Sequence, residues 1–125
     1  MNEKLFQNIF DKIQEGLPSE WKRIAFYAGY TGGSYSMKYY VDNGKDGYID
    51  CFSLDNIKKA QIIKLFMSID KIISPERKKL NEKDRWTVLS MIVNSDGKMK
   101  TEFGYTDIGE NAISYEQEWK AKNLK

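Results

Sequence analysis

The chain contains no histidine, which removes the commonest general acid–base group and a frequent metal ligand. A hydrolase or nuclease built from it would have to rely on carboxylates, lysine, tyrosine or a bound metal. Its one cysteine, Cys51, has no partner for an internal disulfide, which fits a reducing cytoplasm. Lacking a histidine to take its proton, Cys51 is expected to be a small buried residue, not a nucleophile. No window approaches the roughly 20 apolar residues of a membrane span. The N-terminal MNEKLFQNIFDKIQEG mixes charge into its apolar pattern, unlike a signal peptide. The expectations are a cytoplasmic location and no membrane partner. Phosphate and calcium motifs are missing as well. Gly29, Gly32 and Gly33 lie between two strand-like runs, not between a strand and a helix. In the frame starting at Asp42, position 3 of a calcium loop is Gly44 and position 12 is Ser53, so Asp42, Asp46 and Asp50 read as a hairpin loop. Neither a metal nor a cofactor is implied.

What remains is ample for one core. The 125 residues are 41% hydrophobic, 14% aromatic and 30% charged, which suits a single domain over residues 1–125. A domain of this size buries roughly two-thirds of its extended-chain surface. The net charge of +2 is distributed in blocks. From Thr101 to Glu118 the acids Glu102, Asp107, Glu110, Glu116 and Glu118 meet no lysine or arginine. From Lys71 to Arg85 the bases Lys71, Arg77, Lys78, Lys79, Lys83 and Arg85 outnumber the acids. Such patches can steer encounter with a charged protein, or they can simply be solvated faces.

The periodicity predicts α-β-β-β-α-β-β-α. Leu5, Phe6, Ile9, Phe10, Ile13 and Leu17 form one helical stripe, stopped by Gly16 and Pro18. From Trp21 the period becomes two, with Ile24, Phe26, Ala28 and Tyr30 alternating with Arg23, Ala25, Tyr27 and Gly29. A turn at Thr31-Gly32-Gly33 leads to a second strand with Tyr35, Met37, Tyr39 and Val41 on one face. The loop Asp42–Gly47 and a short strand from Tyr48 to Phe52 complete a meander. Asp55 is placed to cap a helix with the core stripe Ile62, Leu65, Phe66, Ile69 and Ile73. Pro75 should interrupt that helix, or start a new turn after Ser74.

The run Trp86–Val93 is apolar on both faces, with Trp86, Val88 and Ile92 opposed to Leu89, Met91 and Val93. It is therefore expected at the centre of its sheet. Asp96-Gly97 suits a tight turn. Beyond it, Met99, Thr101, Phe103 and Tyr105 should face inward, and Lys98, Lys100 and Glu102 outward. Ser114 to Gln117 has the spacing of a capping box for a last helix. There, a Tyr115–Trp119 stack and the pairs Glu116–Lys120 and Glu118–Lys122 would help. The fold class is α+β: an antiparallel sheet of about five strands with helices packed on it.

The tyrosines are the ambiguous signal. On a sheet they can stack bases, anchor a protein interface, or fill the layers between sheet and helices. Tyr27, Tyr39 and Tyr40 would carry the reading as a single-stranded nucleic-acid binder. That reading is weakened because the basic run is not interleaved with them. An enzyme with a carboxylate site would need Asp50 or Glu102, yet no paired acids motivate it. Trp21, Trp86 and Trp119 are expected to pack, since large rings bury the most area.

Several short motifs occur in order along nearly the whole chain: Leu17-Pro18-x-x-Trp21, Tyr39-Tyr40, Trp86-x-x-Leu89, Asp96-Gly97-Lys98, Phe103-x-Tyr105-x-Asp107 and Trp119-Lys120-x-Lys122. In that succession the chain resembles the YezG/EsaG-type immunity proteins. The resemblance implies a cytoplasmic antitoxin of a Gram-positive bacterium that acts without catalysis. It would neutralise a cognate toxin of type VII secretion, typically a nuclease with an LXG-like targeting region, with no direct nucleic-acid contact of its own. Members of the family are expected to be acidic, whereas this chain is +2. Mimicry of nucleic-acid charge is therefore expected only locally, with Glu102, Tyr105, Asp107, Glu110 and Glu116 as the partner-binding candidates.

Overall fold

A computed structural model describes residues 2–31, 34–45 and 47–124. The elements follow the expected order. They are α1 (Asn2–Ile13), β1 (Arg23–Tyr30), β2 (Tyr35–Asp42), β3 (Tyr48–Asp50), α2 (Lys59–Lys78), β4 (Val88–Asn94), β5 (Met99–Gly104) and α3 (Ala112–Asn123), with single 3-10 turns at Gln14–Gly16 and Cys51–Ser53. The sheet is antiparallel throughout and ordered β3-β2-β1-β4-β5. Gly32, Gly33 and Asp46, which belong to two of the expected loops, lie outside the described residues.

The sheet is covered on both sides. On one face α1 and α2 supply Leu5, Phe6, Ile9, Ile13, Ile62, Leu65, Phe66, Ile69 and Ile73. These pack against Ile24, Phe26, Ala28 and Tyr30 of β1, Met37, Tyr39 and Val41 of β2, and Leu89, Met91 and Val93 of β4. On the other face a smaller cluster joins Ala25, Tyr27, Tyr40, Val88 and Ile108 to Trp119 of α3. Seven of the eight β1 residues are buried. The strand in the middle is therefore β1, and β4 lies between it and the edge strand β5.

The stripe assigned to α2 is buried at all five positions. Its ends differ from expectation. Asp55 does not cap α2, which begins four residues later. The intervening residues carry Ile57 against the core, and Asn56 Nδ2 donates to the Gly16 carbonyl at 3.4 Å. The start is closed instead by the Gln61 side chain, which accepts the Lys58 N–H at 2.9 Å. Nor does Pro75 end α2, which runs on to Lys78. A proline in the last turn forfeits its own N–H bond but leaves its carbonyl free to accept, here from Lys79 N at 3.3 Å.

Trp86 precedes β4 and so escapes its alternation. It joins the Leu89–Met91–Val93 side, where its ring meets Phe103 at 5.3 Å and Tyr30 at 5.7 Å. Arg77, from the basic run, lies over both Tyr30 and Trp86 and donates from Nε to the Trp86 carbonyl at 2.8 Å. The Asp96-Gly97 turn forms as expected, with Gly97 at φ +96, a conformation that suits glycine. In β5 Met99 and Phe103 pack inward, while Thr101 and, just past the strand, Tyr105 are exposed. The helical layer does not extend over the far side of an edge strand.

The last helix, by contrast, begins earlier than expected. Ser114 lies inside α3, after an Asn111 that makes no side-chain cap. The Trp119 ring meets Tyr27 at 5.0 Å and Tyr40 at 6.2 Å, across the interface and not along its own helix. Glu116–Lys120 and Glu118–Lys122 are not among the ion pairs of the described residues. Lys120 Nζ sits over the Tyr40 ring instead, and Glu116 accepts from Ser36 Oγ at 3.4 Å.

Cavity formation on the two faces of α2 distinguishes core from surface. Ile69→Ala, in the fully buried stripe, should cost about 2–5 kcal/mol in urea unfolding. Ile63→Ala, at a position 46% exposed, should cost less than about 1 kcal/mol.

Candidate partner-binding surface

The tyrosines divide cleanly by position. Tyr27, Tyr30, Tyr39 and Tyr40 are all buried, and burial is the leading cause that pushes each phenol above its ordinary value. Bases cannot stack on rings enclosed between sheet and helices, so the platform of Tyr27, Tyr39 and Tyr40 is ruled out. These side chains are packing. Tyr39 reaches through the larger layer to donate to the Gly16 carbonyl at 2.8 Å. A Cβ at Gly16 would collide with that hydroxyl, which is why the turn after α1 carries glycine. Tyr30 donates to Asp70 Oδ1 at 2.7 Å and ties β1 to α2. By contrast, the Tyr40 hydroxyl and the Trp119 indole N–H are buried without a hydrogen-bond partner.

Two of the carboxylates considered for chemistry, Asp42 and Asp50, are occupied structurally, whereas Glu102 is exposed. Asp42 Oδ1 accepts from Gly44 N and Asn43 Oδ1 from Lys45 N, each at 2.8 Å, so the hairpin loop is held by its own side chains. Asp50 pairs with Lys38 and accepts from Phe52 N at 2.9 Å. Burial alone would raise the Asp50 carboxyl, but the hydrogen bond and charge of Lys38 together with the Phe52 amide hold it below its ordinary value. Cys51 is buried beside them, and burial pushes its thiol up to about 11. Among the described residues no three His, Cys, Asp or Glu side chains gather to hold a metal. No helix among them is long and apolar enough to cross a membrane.

The five partner-binding candidates fall into two places. Glu102, Tyr105, Asp107 and Glu110 follow one another along β5 and the loop to α3, and all four are exposed. Tyr105 is 60% exposed. This segment is tied down at two points. Thr87 holds it through N–H to the Gly104 carbonyl at 2.8 Å and through Oγ to the Thr106 carbonyl at 2.6 Å. Ile108 is the second, buried against Gly29 in the smaller cluster. Asp107 Oδ1 accepts from Gly109 N at 2.9 Å, which shapes the loop. Glu116 stands apart, half-buried on α3 toward β2 and Ser36.

Glu102 is not alone on its face. With Tyr115, Glu118, Trp119, Lys122 and Asn123 it lines a cleft of about 180 Å³ between β5 and α3. Periodicity placed Glu102 outward but could not bring Glu118 beside the same cleft, because that depends on how α3 lies on the sheet. A larger cleft, about 560 Å³, opens at the opposite end of the sheet. Its lining mixes Lys22, Arg23 and Lys45 with Asp42 and Asp96 and offers no field of one sign.

The chain is thus a small α+β domain with two filled cores and an exposed acidic segment along β5 and the loop to α3. A family model described as "Immunity protein YezG-like" matches residues 2–125, and the chain belongs to that family. It is 24% identical over 131 residues to "Immunity protein YezG" of Bacillus spizizenii strain W23, an alignment covering 96% of this chain and 80% of the relative. To "Immunity protein YezG" of Bacillus subtilis strain 168 it is 26% identical over 129 residues, covering 96% and 85%.

Two measurements probe these assignments. Tyr39→Phe should lower stability by about 1 kcal/mol by removing a buried hydrogen bond. Tyr40→Phe, which removes a buried hydroxyl with no partner, should not lower stability and should raise it by up to about 1–2 kcal/mol. The Asp50 carboxyl has a lowered folded-state pKa, so its contribution is fully present above the ordinary carboxylate range. It is lost as pH falls through the lowered value. The difference in urea midpoint between the wild type and Asp50→Asn should therefore shrink as pH drops from about 6 to about 3.

Proposed function

We propose that this protein is a non-catalytic cytoplasmic antitoxin that binds a cognate type VII-secreted toxin, in keeping with the family match over residues 2–125. The target is the toxin's nuclease domain, held inactive until export. The observation that carries this reading is the family match over residues 2–125.

The contact surface is the acidic segment that follows β4. Glu102, Asp107 and Glu110 are exposed on a backbone anchored by Thr87 and Ile108, so their charges are displayed with little ordering cost on binding. Tyr105, 60% exposed beside them, has the size and amphipathic character of an interface anchor. A nuclease surface that binds phosphates is basic, and the charge pattern here complements it locally, although the whole chain is +2. Glu116, half-buried against β2, belongs at the margin of this surface. Protection inside a cell calls for a dissociation constant near nanomolar, about −12 kcal/mol. An interface of roughly 800 Å² per partner is sufficient for that.

The test is co-expression with the toxin encoded beside its gene, scoring growth and co-purification. Rescue by the wild type is expected. Asp107→Lys with Glu110→Lys should weaken toxin binding by at least about tenfold while leaving the melting temperature within about 2 °C. Unchanged affinity in that double variant would remove the acidic contact surface. Failure of the wild type to rescue or co-purify would remove the antitoxin reading itself.

A further inference from the structure

We infer that the free edge of β5 is a strand-addition site for an extended, Lys- or Arg-bearing segment of the toxin, which rests on the antitoxin reading above. β5 closes one side of the sheet along six residues, Met99–Gly104. Its register with β4 runs one-to-one from Val93↔Met99 to Val88↔Gly104, and it contains no proline. Asn94 N–H donates to the carbonyl of Lys98 opposite it at 2.8 Å, which fixes the parity of the ladder. By alternation, Lys100 and Glu102 direct their main-chain groups to β4, and Met99, Thr101 and Phe103 direct theirs to the open edge. A row of outward N–H and C=O groups is a template for another strand.

Two observations identify the occupant's chemistry. Glu102 and Glu118 line the cleft beside this edge, joined by Lys122, so a cationic head from an added strand meets two carboxylates there. Trp119, only 8% exposed, lines the same cleft and carries an indole N–H without an acceptor. A polar segment laid along β5 places main-chain or side-chain carbonyls within reach of that cleft. The opposite edge is a poorer template, because β3 is three residues long and covers only Tyr40–Asp42 of β2. There, Lys38 is already committed to Asp50 and to the Phe52 ring.

The experiment is amide hydrogen exchange on the full chain, alone and bound to the toxin encoded beside its gene, together with affinities of three variants. The amides of Thr101 and Phe103 should exchange freely in the isolated protein and slow by at least about tenfold in the complex. Thr101→Pro removes an outward N–H and leaves the β4 ladder intact, so it should fold and bind at least about tenfold more weakly. Thr101→Ala should bind like the wild type, because the exposed side chain is not the contact. Glu102→Lys combined with Glu118→Lys should also bind at least about tenfold more weakly. Tight toxin binding without new protection of Thr101 and Phe103 would overturn the strand-addition site while leaving the antitoxin reading in place. So would protection of those amides in the protein alone with a dimer's mass in sedimentation, which would assign the edge to a second copy of this chain. Absence of toxin binding by the wild type would instead count against the antitoxin reading from which the site was argued.

Discussion

The double coverage of β1 is the constraint on which the rest of the structure depends. A strand with seven buried residues cannot expose either face, so layers must form above and below it. The even-numbered side chains Ile24, Phe26, Ala28 and Tyr30 define the larger core with α1 and α2. The intervening Ala25 and Tyr27 define the smaller one with α3. The two layers are unequal. The first has a continuous set of aliphatic and aromatic side chains, whereas α3 contributes a single buried residue, Trp119. Its seat is a pair of tyrosine rings, Tyr27 and Tyr40. The attachment of α3 therefore depends on aromatic area more than on helix amphipathicity, and most of the α3 surface stays exposed.

That arrangement explains why tyrosine is abundant in a chain of this size. A tyrosine can fill a wide layer and still satisfy its hydroxyl at the far side, as Tyr39 does at Gly16 and Tyr30 does at Asp70. Where no acceptor is reached, as at Tyr40, the ring's contribution outweighs the cost of the orphaned hydroxyl. Composition alone could not separate these uses from base stacking. The distinction depends on whether both sheet faces are covered, which is a property of the assembled layers.

The legible parts of the sequence were those governed by local periodicity. The α2 stripe, the meander and the Asp96-Gly97 turn follow from spacing and from the conformational demands of one glycine. Helix starts were less legible. Asp55 and Ser114 both have capping side chains, yet α2 begins after Asp55 and α3 before Ser114, because packing of Ile57 and Trp119 fixes where each helix can lie. Strand alternation begins only at Val88, so Trp86 packs on the side opposite to the one its spacing predicts. In β5 the alternating pattern was real, but burial was not: an edge strand is half outside the layer, so Thr101 and Tyr105 remain in solvent. For the candidate surface, sequence order brought Glu102, Tyr105, Asp107 and Glu110 together. It could not show that Glu118 shares a cleft with Glu102 or that Glu116 turns toward β2.

The two sheet edges are protected differently. A bare edge invites indiscriminate pairing, and proteins usually shorten it, cover it or place charge on it. On one side β3 is short and is followed by a turn that brings Phe52 and Asp50 against Lys38. On the other, β5 spans six residues and carries the exposed charges Lys100 and Glu102. Charge is the one guard that discriminates among partners: it raises the cost of an unmatched strand and lowers the cost of a complementary one. An edge guarded in this way can stay unpaired in the free protein and still accept a strand whose charges match. Covering it with a helix or breaking it with proline would have given the same protection and removed the selectivity.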